Sequence, residues 1–239
     1  MTVRRSRFGS FLWRWLVRIV VAWLLLTIVP IFAMRWLNPP TSAFMIRDRV
    51  QMWLGGDSHP LRQRWVPFRQ ISSHVKRAVI ASEDQKFPDH FGFDFDSIAN
   101  AFDEREKGER VRGASTITQQ VAKNLFLWPG QNWIRKGIEA YLTVIIEICW
   151  SKQRTLEIYL NIAEFGTGVY GVGAASDGLL HKSPSSLSAA DGALLAAVLP
   201  NPQRFRVVAP SAYVRRRQAW ILRQMQHLGT PAILRVSFP

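Results

Sequence analysis

Two stretches of this chain carry more polarity than a packed core calls for. Glu83–Gly92 reads EDQKFPDHFG and Gly113–Asn124 reads GASTITQQVAKN. In the first, a Glu–Asp pair follows an apolar helical run and leads through Phe87 and Pro88 to His90 and Gly92. Apolar shielding raises a carboxylate pKa toward the value that proton transfer near neutrality needs. Glu83 is the candidate. Asp84 adds like-charge repulsion in the same direction, although adjacent helical residues do not face each other. In the second stretch Thr116, Gln119, Gln120 and Lys123 fall at i, i+3, i+4 and i+7, one side of a helix. A hydroxyl, two amides and an ammonium in a row can hold a sugar and a phosphate. Gly113 and Ala114 permit close approach at the helix start, where free N–H groups suit an anion. The plainer alternative is an exposed polar face with Ser115 or Thr116 as a cap.

A third group is Arg135, Lys136 and Glu139. Arg135 and Glu139 are an i, i+4 pair, which holds the carboxylate ionised and offers cations to a phosphate. A surface salt bridge with no further task is the alternative. Glu147, two turns on within YLTVIIEICW, is either a buried, paired carboxylate or the far edge of a cleft. Lys152, Glu157, Tyr159 and Asn161 read as architectural, with Lys152 near the end of the preceding helix and Asn161 fixing the glycine loop. His90 has no neighbours at zinc-ligand spacing and reads as a hydrogen-bonded structural histidine. Cys149 is the only cysteine and sits in an apolar helix, so no intrachain disulfide can form.

These residues need helices to position them. Apolar periodicity predicts helices over 44–54, 74–87, 95–109, 115–124, 133–150, 155–161, 188–199 and 212–228. Ser72 or Ser73 caps the second, Asp94 or Asp96 starts the third, and Asn132 caps the long fifth. Ile98, Ala99 and Phe102 make the apolar stripe of 95–109. FGTGVYGVG, residues 165–173, reads as a loop. Few stretches alternate with period 2, so the exported part is an all-α domain.

The chain has 239 residues and a net charge of +14. Residues 1–47 carry Arg4, Arg5, Arg7, Arg14, Arg18, Arg35 and Arg47 and no acid; the remainder holds 24 basic and 17 acidic residues. Ile19–Met34 is free of charge and, with Leu16 and Val17, is just long enough to span a bilayer. Arginines before it place the N-terminus in the cytoplasm and the rest outside the inner membrane. Arg35 and Arg47 oppose this weakly. No small-x-small cleavage site follows the apolar run, so the segment reads as an uncleaved signal-anchor. The expected organisation is a basic tail (1–18), an anchor (19–36) and a periplasmic domain (37–239), with the aromatic-rich stretch 36–68 resting on the bilayer.

In this order and spacing, EDQKFPDHFG, GASTITQQVAKN, RKGIE and KQRTLEIYLN resemble the four main motifs of the peptidoglycan glycosyltransferases. These are the lysozyme-like polymerases of bacterial cell walls. The likeness runs from about Val66 to Phe205, and the chain ends without room for a penicillin-binding transpeptidase domain. The resemblance implies a monofunctional enzyme joining lipid II to a growing lipid-linked glycan through β-1,4 bonds, releasing undecaprenyl diphosphate. It makes Glu83 the general base and Glu139 the second essential carboxylate. It makes Asp84, Phe87, His90, Thr116, Gln119, Gln120, Lys123, Asn124, Arg135 and Lys136 substrate contacts. Gly92, Gly113, Glu157, Tyr159 and Asn161 are its structural positions. A divalent cation, Mg or Mn, assists some members, and division or elongation machinery are implied partners. Gly173 and Gly178 depart from the family pattern, and each is expected to cost about 1 kcal/mol in a helix.

The chemistry agrees with the resemblance. A diphosphate leaves as an anion and needs cations more than a proton, whereas the attacking hydroxyl needs a base within about 3 Å. A muramidase or lytic transglycosylase is the first rival, but a neutral glycan gives the QQxxK and RKxxE groups nothing to grip. A non-catalytic cell-wall scaffold would have no need of Glu83. Nucleic acid is the weakest partner, since the basic residues are dispersed and lie on the wrong side of the membrane.

Overall fold

The computed structural model describes residues 7–56, 59–107, 115–130 and 132–235. Gly113 and Ala114 lie outside the described residues, as does the side chain of Phe102. The chain opens with α1 (Arg7–Ala33), which extends the expected span by more than two turns toward the N-terminus. Its apolar portion Ser10–Ala33 is 24 residues long, about 36 Å at 1.5 Å per residue and enough to cross a bilayer. Leu26, Trp13 and Ile19 are exposed on it. α2 (Ala43–Trp53) follows, capped by Ser42.

Two helical groups make the domain. In one, α3 (Ser73–Glu83), α9 (Ala189–Val198) and α10 (Ala212–Leu228) pack together. Ser72 caps α3 through its side chain. α9 is buried on every side from Gly192 to Val198, as the apolar run GALLAAV requires. Gly192 of α9 lies against the backbone of His74 and Val75, which lets α3 approach closely. In the other group, α5 (Ile117–Phe126) lies between α6 (Trp133–Cys149) and α7 (Lys152–Ile162). Asn132 caps α6 as expected. α4 (Phe95–Glu106) starts at Asp94, whose carboxylate accepts from Ser97 N at 3.0 Å.

Several expectations need correction. α3 stops at Glu83 instead of running to 87, because Asp84 turns away to bond elsewhere. The 165–173 stretch is not a plain loop. It holds most of a hairpin, β2 (Glu164–Gly166) and β3 (Val169–Tyr170), and enters α8 (Gly171–Ala175), which continues as a π-helical turn over Ser176–Leu180. β1 (Arg62–Gln63) pairs parallel to β3, giving a small sheet in the order β1-β3-β2. These strands of two or three residues are too short to show period-2 alternation. Gly173 is not a helix defect: a Cβ there would stand 2.2 Å from Arg64 O and 2.8 Å from Val66 Cγ2. Asn161 is fully buried and holds the 63–66 segment, accepting from Val66 N at 2.7 Å and donating to Val66 O at 2.9 Å. Its side chain thus fixes the strand beside the hairpin instead of the glycine stretch itself.

The anchor helix is docked on the domain. The Trp23 and Tyr141 rings stack at 4.6 Å, and the Thr27 and Tyr141 hydroxyls are 2.8 Å apart. Trp150 Nε1 donates to Ile31 O at 2.6 Å, and Arg154 donates to Met34 O and Leu37 O at 2.9 and 2.7 Å. The carbonyls freed at the end of α1 are therefore capped by α7 and its N-terminal junction.

Candidate active site

Glu83 closes α3 and faces Gln120 of α5. Gln120 Nε2 donates to Glu83 Oε2 at 2.9 Å, and Tyr159 Oη donates to Gln120 Oε1 at 3.0 Å. Two helices thus fix the amide that orients the carboxylate. The other oxygen, Oε1, is buried without a hydrogen-bond partner among the described residues. The cation nearest to it is Arg217 of α10, with Nη2 at 3.6 Å. The Glu83 side chain is only 12% exposed. Burial pushes its pKa up; the Gln120 bond and the charges of Arg217 and Lys123 oppose that, and Asp84 adds to it. A carboxylate with an elevated pKa and one uncommitted oxygen can take a proton from a hydroxyl.

The rest of the EDQKFPDHFG stretch is built into the scaffold. Asp84 is buried and accepts from Ile117 N at 2.9 Å, at the start of α5, and from His90 Nε2 at 2.9 and 3.0 Å. Phe87 is fully buried, with Lys152 Nζ 4.7 Å over its ring. Thr116 caps α5, forms a capping box with Gln119, and donates its hydroxyl to Gly92 O at 2.7 Å. Gly92 has a φ of +79°, and a Cβ there would meet Thr143 Cγ2 at 2.8 Å and Glu147 Cγ at 2.9 Å. Only glycine satisfies both conditions. Asp84, Phe87, His90 and Thr116, expected at the substrate, have their polar atoms or rings turned inward, where they join α3, α5 and α6.

α6 supplies the second carboxylate. Glu139 is 3% exposed; it bonds Arg135 Nη1 at 3.3 Å and is bonded by Lys136 Nζ. The pairing expected from sequence is present, but it is buried, not superficial. Lys123 lies between the two glutamates. Burial lowers its pKa, Glu139 and Glu83 raise it, and Arg135 and Lys136 lower it. Gln119, Gln120, Lys123, Arg135, Lys136 and Glu139 border a cavity of about 800 Å³. A smaller one, about 250 Å³, opens on the other side of Gln120 and Lys123, bordered also by Asn124, Tyr159 and Glu164. Gln119 combines a wall position with an amide oxygen committed to the Thr116 cap.

Glu147 proves to be a buried, paired carboxylate, accepting from Thr118 Oγ1 at 2.5 Å and Lys152 Nζ at 2.8 Å. Glu157 accepts from Phe68 N at 2.9 Å and pairs with Arg154 at 2.7 Å. Arg217 and Glu164 were not foreseen. Arg217 was one of many arginines in a basic amphipathic helix, and nothing local set it apart. An acid inserted between the apolar end of α7 and Phe165 was the available signal for Glu164.

Magnesium is commonly held by one or two carboxylates together with substrate phosphates. Among the described residues Glu139 is the only carboxylate bordering the larger cavity, and it is bonded by two cations. Among the described residues no three His, Cys, Asp or Glu side chains converge. This donor set does not fit a resident metal, and cationic side chains stand where its charge would be needed.

A family model described as Transglycosylase matches residues 50–226. A biosynthetic peptidoglycan transglycosylase of Klebsiella oxytoca is 52% identical over 247 residues, covering 99% of each chain. Proteins of the same description from Yersinia pseudotuberculosis serotype O:3 (strain YPIII) and Yersinia pestis (strain Pestoides F) are each 50% identical over 236 residues. They cover 98% of this chain and 97% of their own.

Proposed function

Since the chain belongs to the biosynthetic peptidoglycan transglycosylase family and is a glycan-polymerising enzyme, we propose that it extends lipid-linked glycan with lipid II at the outer face of the inner membrane. Glu83 is the general base. Its uncommitted Oε1 takes the proton of the acceptor's 4-hydroxyl as that oxygen attacks the anomeric carbon of the glycan donor. The bond from that carbon to the diphosphate breaks, its electron pair leaves with undecaprenyl diphosphate, and the configuration inverts. Lys123, Arg135 and Lys136 take up the charge that develops on the leaving group. Glu139 holds Arg135 and Lys136 in place.

The muramidase and lytic readings, and that of a non-catalytic scaffold, are set aside by the family. The site's own chemistry agrees. Glycoside hydrolysis ordinarily employs two carboxylates flanking the bond, whereas the second carboxylate here is occupied by two cations. The observation that carries the proposal is a buried Glu83 oxygen without a hydrogen bond, on a carboxylate held by Gln120, which borders a cavity lined with three cations. The anchor orientation, with Arg14 and Arg18 on the cytoplasmic side, follows from charge placement. Residues 37–239 then form the periplasmic catalytic domain. The test is incubation of the purified full chain with labelled lipid II in detergent. Polymer that lysozyme digests is expected, and consumption of preformed glycan without polymer would refute the assignment.

A further inference from the structure

The smaller cavity has no role in the chemistry above, yet it adjoins the base. Gln120 and Lys123 border both cavities, and Tyr159 on the smaller cavity's wall holds Gln120, which holds Glu83. The two cavities differ in chemistry. The larger has Lys123, Arg135 and Lys136 and suits a diphosphate. The smaller is bordered by Asn124, Gln120, Asn201 and Gln203 and by Glu164; its cations are Lys123, shared with the larger cavity, and Arg47, which is paired with Asp48. Amides beside a carboxyl suit the hydroxyls and acetamido groups of a neutral sugar.

Glu164 is built for such a contact. It is the first residue of β2, and one oxygen accepts from Gly168 N at 3.2 Å, which closes the hairpin. The second oxygen has no partner among the described residues. The hairpin's position is fixed from α2: Tyr170 Oη donates to Asp48 Oδ2 at 2.5 Å, and Asp48 pairs with Arg47. Among the described residues the titratable groups around Glu164 are Arg47 and Asp48 from α2, Tyr170 from β3, and Lys123 and Tyr159 on the cavity wall.

We infer that the smaller cavity receives the acceptor sugar and that Glu164 accepts a hydrogen bond from one of its hydroxyl or acetamido hydrogens, aligning the 4-hydroxyl with Glu83. Glu164 is in this sense a positioning residue; it does not react. The inference rests on the polymerase reading above. Burial, reinforced by Asp48, raises the Glu164 pKa to about 7, against the Gly168 bond and Arg47. Below that pH the group is protonated and the acceptor oxygen is lost in part. Acceptor binding should therefore tighten as pH rises from 6 to 8.

The experiment measures addition of labelled lipid II to a preformed lipid-linked glycan oligomer, so that the KM of acceptor and glycan donor are separated. Glu164→Gln keeps a carbonyl for Gly168 and removes the ionised form. At pH 8 its acceptor KM should rise about tenfold, as expected for losing a hydrogen bond to a charged group. Its glycan-donor KM and melting temperature should match wild type, and its acceptor KM should no longer change between pH 6 and 8. Gln203→Ala, on the facing wall and outside the hairpin, should raise the acceptor KM in the same direction but less. Unchanged acceptor KM in both variants overturns the inference, as does an equal rise in both KM values accompanied by a lower melting temperature. If wild type forms no polymer at all, the polymerase reading fails first, which separates the two failures.

Discussion

Glu83 and Glu139 are both largely buried carboxylates on helices, Glu139 on the wall of the larger cavity and Glu83 bonded to Gln120 of that wall, yet their surroundings are opposite. Glu139 bonds two cations from its own helix. Glu83 has one neutral amide, an arginine at 3.6 Å and one oxygen left over. Pairing lets the first organise positive charge. Burial without full pairing leaves the second with a raised pKa and one oxygen outside any hydrogen bond. On the proposed mechanism this separates a structural carboxylate from a reactive one, and it can be tested in both directions.

The largest effect is expected from Glu83→Gln. Turnover of lipid II should fall about 10²–10⁴-fold, the usual cost of losing a general base, while circular dichroism stays native. Wild-type turnover in the folded variant would end the assignment. Next, Glu139→Gln should lose activity and also unfold at lower denaturant. Removing one partner of a buried pair costs about 3–5 kcal/mol, here by leaving Arg135 and Lys136 facing a neutral amide. Arg135→Ala should share that penalty, whereas Lys123→Ala should impair turnover with little loss of stability. Equal stability of Glu83→Gln and Glu139→Gln would erase the distinction between the two sites.

The pH dependence sharpens the same contrast. Glu83 must be ionised to act, so kcat/KM should rise with pH through an acid limb above the ordinary carboxylate range. Arg217 lowers the Glu83 pKa, so Arg217→Gln should move that limb to higher pH. The stability sign is the reverse. A group whose folded pKa is raised favours folding at low pH, and that contribution is lost as pH rises through the folded value. Glu83→Gln should therefore be more stable than wild type at neutral pH, by about 0.5–2 kcal/mol, the usual gain when an active-site compromise is relieved. Chemical denaturation at pH 4 and 8 would check this; a gain present only at pH 4 would contradict it.

The fold was legible where local rules dominate. Ser72 and Asn132 cap helices, and the apolar periodicity over 133–150 and 188–199 marks α6 and α9. The hairpin was not legible, because its register is set by Asp48 and Gly173 reaching segments more than a hundred residues away. The proposed site divides in the same way. Glu83, Lys123, Arg135 and Glu139, the residues proposed to act, stand out by type and spacing. Asp84, Phe87, His90 and Thr116 share that stretch-level signal, but their task is to join three helices. Polarity marks both kinds of residue; only the direction of the side chain separates them.

The docking of α1 carries a mechanical consequence. Trp23, Thr27 and Ile31 are held to Tyr141 and Trp150, and Tyr141 stands two residues after Glu139 on α6. On the proposed topology the anchor is a strut of set length joined to α6, and the height of the cleft above the bilayer midplane follows from it. A bilayer thicker or thinner than the strut must tilt it or deform around it, which carries the cleft away from the plane of the diphosphates. Turnover in vesicles should peak at one acyl-chain length. Replacing Tyr141 with Ala should broaden that peak, because a loosened joint lets the domain find its own level; a peak of unchanged width would show that the joint does not set the height.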